Sequence, residues 1–411
     1  MKIIHTSDWH LGRSLYGRKR YDEFKNFLDW LLGIIEKEKT DALLISGDIF
    51  DTSTPSNKAQ ELYYNFICKA SLICKGIVIT AGNHDSPTFL NAPKTLLKIL
   101  NIHVKGSITE NLEDEIVVLK DKETPFAIIC AVPYLRDRDI RTVEAGETAD
   151  DKNLKLILGI KKHYEKVCSL AKTKQDKLKS KGYENIPIIA MGHLFAAGGT
   201  TIEGDGVREL YVGTLSRTGA DIFPDFLDYT ALGHLHLPQK VSGNDHIRYC
   251  GSPIPMGFGE ANQTKTIIIA EFKNKTPKIK EIPVPVFQRL ERIKGSIDEI
   301  FKKIENLKNQ NSNAWLEIEY TGSEVLGNLR QNIEEKIENT ELEIRRIKNN
   351  KIIESLKSSA KHEQTLDDLD LNQVFEKCLE TYEIEEDEKQ ELISAYNYIV
   401  NKIFEEDKNA E

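Results

Sequence analysis

Ala42-Leu43-Leu44-Ile45-Ser46-Gly47-Asp48-Ile49-Phe50-Asp51 joins an apolar run of strand length to a glycine turn carrying a carboxylate. A strand that opens into such a loop aims polar groups at whatever lies beyond its C-terminal end. The arrangement recurs. Ile3-Ile4 precedes Asp8-Trp9-His10, and residues 77–80 precede Gly82-Asn83-His84-Asp85. Residues 186–190 precede Gly192-His193, and residues 230–232 precede Gly233-His234-Leu235-His236. Between the early strands, residues 22–37 and 56–74 carry the apolar spacing of amphipathic helices, with Pro55 close to the start of the second. Strand and helix alternating in this way predict an α/β fold whose strand ends gather the five motifs at one place.

The residue types at those ends suit a pair of divalent cations. Such ions take mixed oxygen and nitrogen donors, with one carboxylate shared between them. Asp8, His10, Asp48 and His236 form one predicted ligand set; Asp48, Asn83, His193 and His234 form the other, with Asp48 bridging. In His234-Leu235-His236 the alternation of a strand end would turn both rings the same way. His84 is the candidate to stabilise the transition state or protonate the leaving oxygen, and Asp85 or Asp51 the candidate to orient it or a metal ligand. Each motif alone is a common turn; their conjunction in order is what carries the reading. His5, His103, His163, His246 and His362 are read as ordinary residues.

At 411 residues, 40% hydrophobic and 29% charged, the chain has material for two or three domains. Its net charge of −9 is unevenly spread: residues 363–411 hold 16 acidic and 4 basic side chains, so residues 1–362 carry +3. A phosphate-binding body with an acidic appendage fits that distribution. Arg13, Arg18, Lys19, Arg20, Arg136, Arg138 and Arg141 are candidate phosphate contacts, whereas the lysines of residues 172–181 read as a solvated helix face. The six cysteines include no C-x-x-C pair and read as reduced, buried thiols. No apolar run is long enough to span a bilayer and no signal segment is evident, so a cytoplasmic, membrane-free protein is expected. Residues 199–205 imitate a phosphate loop but lack its Lys-Ser/Thr, which argues against an ATP site in this chain.

Residues 287–355 predict a compact strand, helix, strand, helix, strand order. Residues 350–366 read as a tether, and two amphipathic helices are expected over residues 371–381 and 386–404, with apolar faces for the body or a partner.

With these motifs in place, the chain resembles the calcineurin-like metallophosphoesterase superfamily over residues 1–285. A closer likeness is to the SbcD-type exonuclease subunits, carried by Thr6-Ser7-Asp8-Trp9-His10-Leu11-Gly12, Ser46-Gly47-Asp48-Ile49-Phe50-Asp51, residues 228–236 and Arg248-Tyr249-Cys250-Gly251-Ser252-Pro253. The resemblance implies a two-sheet (αββα-type) metallophosphoesterase sandwich, an α+β capping domain over residues 286–355 that binds DNA, and a helical C-terminal tail over residues 356–411. It implies a Mn²⁺-dependent nuclease with two metal ions, in which a bridging hydroxide attacks the phosphodiester in line. Double-stranded DNA ends and hairpins would be its substrates. It further implies an SbcC-type coiled-coil ATPase bound through the C-terminal helices, and a homodimer within a heterotetramer. Asp51 stands where archaeal and eukaryotic relatives tend to have His. The alternative is a phosphoesterase acting on small phosphoesters; Thr52 stands where protein phosphatases place an Arg.

Overall fold

The computed structural model describes residues 1–140, 147–196, 220–273, 276–322, 328–349 and 392–396. In chain order, the first half of the body comprises β1 (Lys2–Thr6), a hairpin of β2 (Ser14–Leu15) and β3 (Arg18–Lys19), α1 (Tyr21–Glu38), β4 (Ala42–Ser46), α2 (Asn57–Ser71), β5 (Gly76–Thr80), α3 (Pro87–Asn91), α4 (Lys94–Ile99) and β6 (Ile102–Lys105). The second half comprises β7 (Ile116–Asp121), β8 (Thr124–Ala131), α5 (Asp137–Ile140), α6 (Ala149–Lys179), β9 (Ile188–His193), β10 (Tyr229–Gly233), β11 (Gln239–Val241), β12 (Asn244–Tyr249), β13 (Thr266–Phe272) and β14 (Pro277–Pro283).

Two six-stranded sheets result, with orders β14-β13-β1-β4-β5-β6 and β11-β12-β10-β9-β8-β7. β1, β4, β5 and β6 run parallel, as do β8, β9, β10 and β12, so their C-terminal ends share an edge of each sheet. The strands bury both faces, which is why they read as unbroken apolar runs rather than alternating ones. Between the sheets lie Ile3, Leu44, Val78, Ile129, Ile189, Met191 and Ile268. On the outer face of the first sheet, α1 presents Phe24, Phe27, Leu28, Leu31 and Ile35, at the spacing of one helical stripe. Burying each of these stabilises the layer by roughly 1.5–3 kcal/mol. α6 covers the second sheet with Ile160, Tyr164, Val167, Cys168 and Ala171. This is the expected α/β two-sheet sandwich.

Helix starts follow the local chemistry. Ser56 accepts from the Ala59 amide to cap α2, and Thr148 forms a reciprocal capping box with Asp151 at the start of α6. The chain divides into two compact units, Met1–Arg292 with Asn313–Trp315, and Ile293–Ser312 with Leu316–Glu411. Beyond β14 run β15 (Leu290–Gly295), α7 (Ile297–Asn309), β16 (Trp315–Tyr320), α8 (Leu329–Ile337) and β17 (Glu343–Asn349), the order read from the sequence. The sheet order is β15-β16-β17, and Ile300, Ile304, Leu307, Leu316, Ile318 and Ile333 are buried. Ser296 and Glu299 make the capping box of α7. Residues 392–396 are helical; the rest of the tail reading, Arg141, Cys378 and residues 199–205 lie outside the described residues. Cys68 is exposed, contrary to the buried reading; Cys74, Cys130, Cys168 and Cys250 are buried. Among the described residues no helix is long and apolar enough to cross a membrane.

Candidate metal centre

The loops after β1 and β4 are fastened to each other by their backbones. The Asp8 amide donates to Gly47 O at 3.0 Å, that of His10 to Asp48 O at 3.0 Å, and that of Leu11 to Ile49 O at 2.9 Å. Asp8, His10 and Asp48 all adopt left-handed backbone, with φ of 52°, 47° and 48°. Such conformations cost on the order of 1–3 kcal/mol each for residues with a Cβ and persist only where surrounding structure imposes them. Here they turn three donor side chains toward one point. The motif glycines are needed for a different reason. A Cβ on Gly47 would sit 2.2 Å from His193 Nδ1, one on Gly82 2.1 Å from Asp48 Oδ1, and one on Gly233 1.9 Å from Ser46 O.

The seven residues read as ligands are brought together. Asp48 Oδ2 lies 3.6 Å from His10 Nε2 and 3.3 Å from His193 Nε2, placing its carboxylate between two histidines. His10 Nε2 faces His236 Nε2 at 3.2 Å. His193 Nε2 and His234 Nδ1 each lie 3.0 Å from Asn83 Oδ1. Asp8 Oδ1 accepts from the His234 amide at 2.9 Å, and the Ser7 hydroxyl donates to Asp8 Oδ2. Asp8, His10, Asp48, His193 and His236 are all 2% exposed or less. Donor atoms converge on one another here, His10 Nε2 on His236 Nε2 and two imidazole nitrogens on Asn83 Oδ1, the arrangement that a shared cation would join. His10 turns Nε2 inward, and its Nδ1 stands 3.5 Å from the Asp51 carboxylate. The mixed oxygen and nitrogen set fits divalent ions.

Backbone and carboxylate oxygens fix which imidazole nitrogen faces inward. Nδ1–H of His193 donates to Ser46 O at 3.0 Å, and that of His236 to Glu260 Oε1 at 3.1 Å, so each presents Nε2 to the cluster. His84 donates through Nδ1–H to the backbone carbonyl of Asp51 at 2.8 Å, and its ring centroid lies 4.8 Å from that of His10. That contact turns Nε2 away from the Asp51 carbonyl. His234 and His236 lie beyond the end of β10 and His234 has a φ of 103°, so the strand alternation expected for this pair does not apply. A turn, rather than a pleat, sends His234 to Asn83 and His236 to His10.

The electrostatics reflect a cluster of interacting charges. Burial would raise Asp48, yet the neighbouring His193, His10 and His84 hold its carboxyl well below the ordinary value. Burial would lower His193, but Asp48 and Asp8 push it up to about 9. His234 falls to about 3 through burial and the His193 charge. Glu260 is brought down to about 2 by Lys265 and His236 in spite of its burial.

Asp85 and Asp51 act on backbone and ring respectively. Asp85 accepts from the amides of Gly82, Ile49 and Phe50 at 2.8, 3.2 and 3.0 Å, tying the Asp48 loop to the Asn83 loop; its carboxylate does not hold the His84 ring. Burial and the Asp48 charge push it up to about 7. The Asp51 carboxylate lies 3.5 Å from His10 Nδ1 and accepts from Arg13 at 3.1 Å, so it bears on His10 and reaches His84 only through its carbonyl.

Two arginines read as phosphate contacts are otherwise employed. Arg20 is 2% exposed, with its guanidinium filled by Glu23 and Pro255 O, which makes it a packing residue that closes the start of α1. Arg13 is held by Asp51 and by Met256 O. Arg18 and Lys19 are exposed on the hairpin, Arg18 within 5.9 Å of the Trp315 ring. Arg138 is exposed beside Asp139, and Arg136 is half-buried.

Sequence reasoning missed Glu260, whose carboxylate is fully buried between His236 and Lys265. Lys265 also donates to His236 O and Ser252 Oγ, both at 3.0 Å. Nothing in Gly257-Phe258-Gly259-Glu260 marks that role, since the acid stands in a short 3₁₀ turn. Beside His193 and His234 opens a mainly apolar slot lined by Tyr134, Leu135, Ile160 and Phe195, with water-accessible space of about 30 Å³.

A family model described as calcineurin-like phosphoesterase matches residues 1–238. Another, described as type 5 capsule protein repressor C-terminal domain, matches residues 286–383. The SbcD subunit of the SbcCD nuclease of Escherichia coli (strain K12) is 35% identical over 395 residues, 95% of this chain and 96% of its own. The Bacillus subtilis (strain 168) protein of the same name is 32% identical over 327 residues, 78% of each chain. A dimetal phosphatase from Danio rerio aligns over 69% of this chain and 99% of its own, at a TM-score of 0.39 and 11% identity.

Proposed function

The chain belongs to the calcineurin-like phosphoesterases and within them to the SbcD nuclease subunits, and from that premise we propose a Mn²⁺-dependent nuclease acting on double-stranded DNA ends and hairpins. The observation that carries the reading is the convergence of Asp8, His10, Asp48, Asn83, His193, His234 and His236 on one largely buried cluster divided by the Asp48 carboxylate. Asp8, His10, Asp48 and His236 would hold one divalent ion, and Asp48, Asn83, His193 and His234 the second. Such a pair, when bound, supplies Lewis-acid stabilisation of charge on phosphate and a water-derived nucleophile at neutral pH.

The side chains of the protein do the positioning. Glu260 and Ser46 O keep the protons of His236 and His193 on Nδ1, so that Nε2 stays a donor. Asp85 keeps the two loops at fixed separation through three amides. His84 is anchored through Nδ1 to Asp51 O; once protonated, its Nε2–H is the group available to a developing oxyanion or a leaving oxygen.

The partner reading extends beyond the described residues. The acidic segment of residues 363–411 is the proposed docking element for an SbcC-type ATPase, and a homodimer within a heterotetramer is the proposed assembly. The test is degradation of a linear, end-labelled duplex in Mn²⁺ by the full chain, with and without that ATPase and ATP. Removal of residues 363–411 should spare Mn²⁺ binding and abolish co-purification with the ATPase. Hydrolysis of a small phosphodiester without any DNA cleavage would overturn the nuclease reading; an undiminished complex with the truncated chain would overturn the docking reading.

A further inference from the structure

The two sheets leave an open edge where β6 and β7 face each other, and a groove of about 620 Å³ lies there. One wall carries Lys94 and Lys98 from α4 and Lys105 from the end of β6. Lys105 is half-buried, pairs in register with Thr80, and accepts through its carbonyl from the Ala81 amide at 2.9 Å. The groove therefore begins one strand away from the Asn83-His84 loop, at the same end of the sheet as the metal centre. The Gly106 amide donates to Asn91 Oδ1 at 3.1 Å and closes the corner between α3 and β6.

Acidic residues on the opposite wall have partners of their own. Glu113 pairs with Lys174 at 3.2 Å, Glu115 with His163 at 2.8 Å, and Asp114 accepts from Thr109 at 3.0 Å. Among the described residues, Lys94, Lys98 and Lys105 make no ion pair. Burial lowers the Lys105 ammonium below its ordinary value; Asp114 and Glu115 pull it back, and Lys94 and Lys98 press it further down. Three ammonium groups, none held in an ion pair among the described residues and one of them partly desolvated, thus line one wall of the recess, while Asp114 and Glu115 on the other wall balance part of their field. An anion with several oxygens, spaced along a chain, matches that field better than a single ion.

We propose that Lys94, Lys98 and Lys105 bind backbone phosphates of the DNA strand engaged at the metal centre, guiding that strand along the open edge of the sandwich. The inference rests on the nuclease reading above and adds a path for the strand.

The experiment measures duplex DNA binding by the full chain in EDTA across about 50 to 200 mM salt, for wild type, a Lys94→Gln/Lys98→Gln/Lys105→Gln variant and its all-Arg counterpart. Hydrolysis of bis(p-nitrophenyl) phosphate in Mn²⁺ serves as the control for an intact centre. The Gln variant should bind duplex about 10- to 100-fold more weakly with a salt slope shallower by about 2 to 3, since each phosphate contact contributes about 0.9 to that slope. The all-Arg variant should restore both, and all three proteins should hydrolyse the small ester equally. Unchanged DNA affinity and slope in the Gln variant would overturn the groove while leaving the nuclease reading intact. Loss of inorganic phosphate or mononucleotide binding alone, with duplex binding kept, would likewise overturn it in favour of a small-phosphate site. Failure of wild type to bind or cut DNA, with the small ester still hydrolysed, would instead mark failure of the nuclease reading.

Discussion

On one side of the centre the histidines lean on acids: His236 on Glu260 at 3.1 Å, and His10 beside Asp51 at 3.5 Å. On the other side the group behind His193 is neutral, the Ser46 carbonyl, while His234 faces Asn83 Oδ1, itself one of the proposed donors. A carboxylate behind an imidazole raises its basicity and holds its orientation more firmly than a carbonyl does. The side of His10 and His236 is also backed by Lys265, Ser252 and Arg13, whereas the side of His193 and His234 borders the apolar slot. Two ions bound here would differ in affinity, with the acid-backed position the tighter. Asp48 is the element the two halves share.

The comparison is broken most completely at that shared carboxylate. Asp48→Asn keeps an acceptor for the His84 amide, now met at 2.9 Å, but removes the charge common to both halves. Cleavage should fall on the order of 10³-fold or more, because both positions lose several kcal/mol of charge stabilisation, and metal content measured on the same protein should drop below two ions. Next in size is His84→Gln. It should retain both ions yet lose about 10²- to 10⁴-fold in cleavage; loss of an ion in bound-metal analysis would reassign His84 as a ligand.

Glu260→Gln sharpens the asymmetry directly. The acid-backed position should weaken by about 10- to 100-fold, leaving the other unchanged, which a Mn²⁺ titration by calorimetry resolves as a narrowed or inverted gap between the two affinities. Equal weakening of both positions would show that Glu260 supports the fold of the whole centre. Per pH unit, the smallest effect is the titration of His193. The metal-free His193, raised to about 9 by Asp48 and Asp8 against its burial, must release a proton to donate to an ion. Apparent affinity at its position should therefore fall about tenfold per pH unit below about 9. For the metal-free protein the sign reverses: the raised value stabilises the fold below about 6.5 and that contribution is lost as pH climbs toward about 9. Thermal unfolding with and without Mn²⁺ separates the two trends.

The asymmetry was invisible in the sequence, although the centre itself was legible. Apolar runs ending in Asp8-Trp9-His10, Gly47-Asp48 and Gly82-Asn83-His84-Asp85 announced both strands and donors, because a buried parallel strand must be apolar throughout and must release its polar groups at its end. Glu260 is supplied by a 3₁₀ turn 24 residues beyond His236, and only the folding of β13 beside β1 brings that segment home. Arg20 looked like its exposed neighbours Arg18 and Lys19; its burial depends on Pro255 O, 235 residues away. Asp85 was read as orienting His84 or a metal ligand; three backbone amides claim its carboxylate, a geometry that loop conformation decides and residue type does not. The left-handed turn at His234 belongs to the same class, since spacing alone suggested a pleat.

The most direct test counts Mn²⁺ bound to the purified full chain by native mass spectrometry and follows cleavage of an end-labelled duplex at the same metal concentrations. The account predicts two ions taken up in separable steps, with cleavage rising on the second. Full cleavage with one ion or none, or two ions bound and no DNA cleaved with or without the ATPase partner, would contradict it.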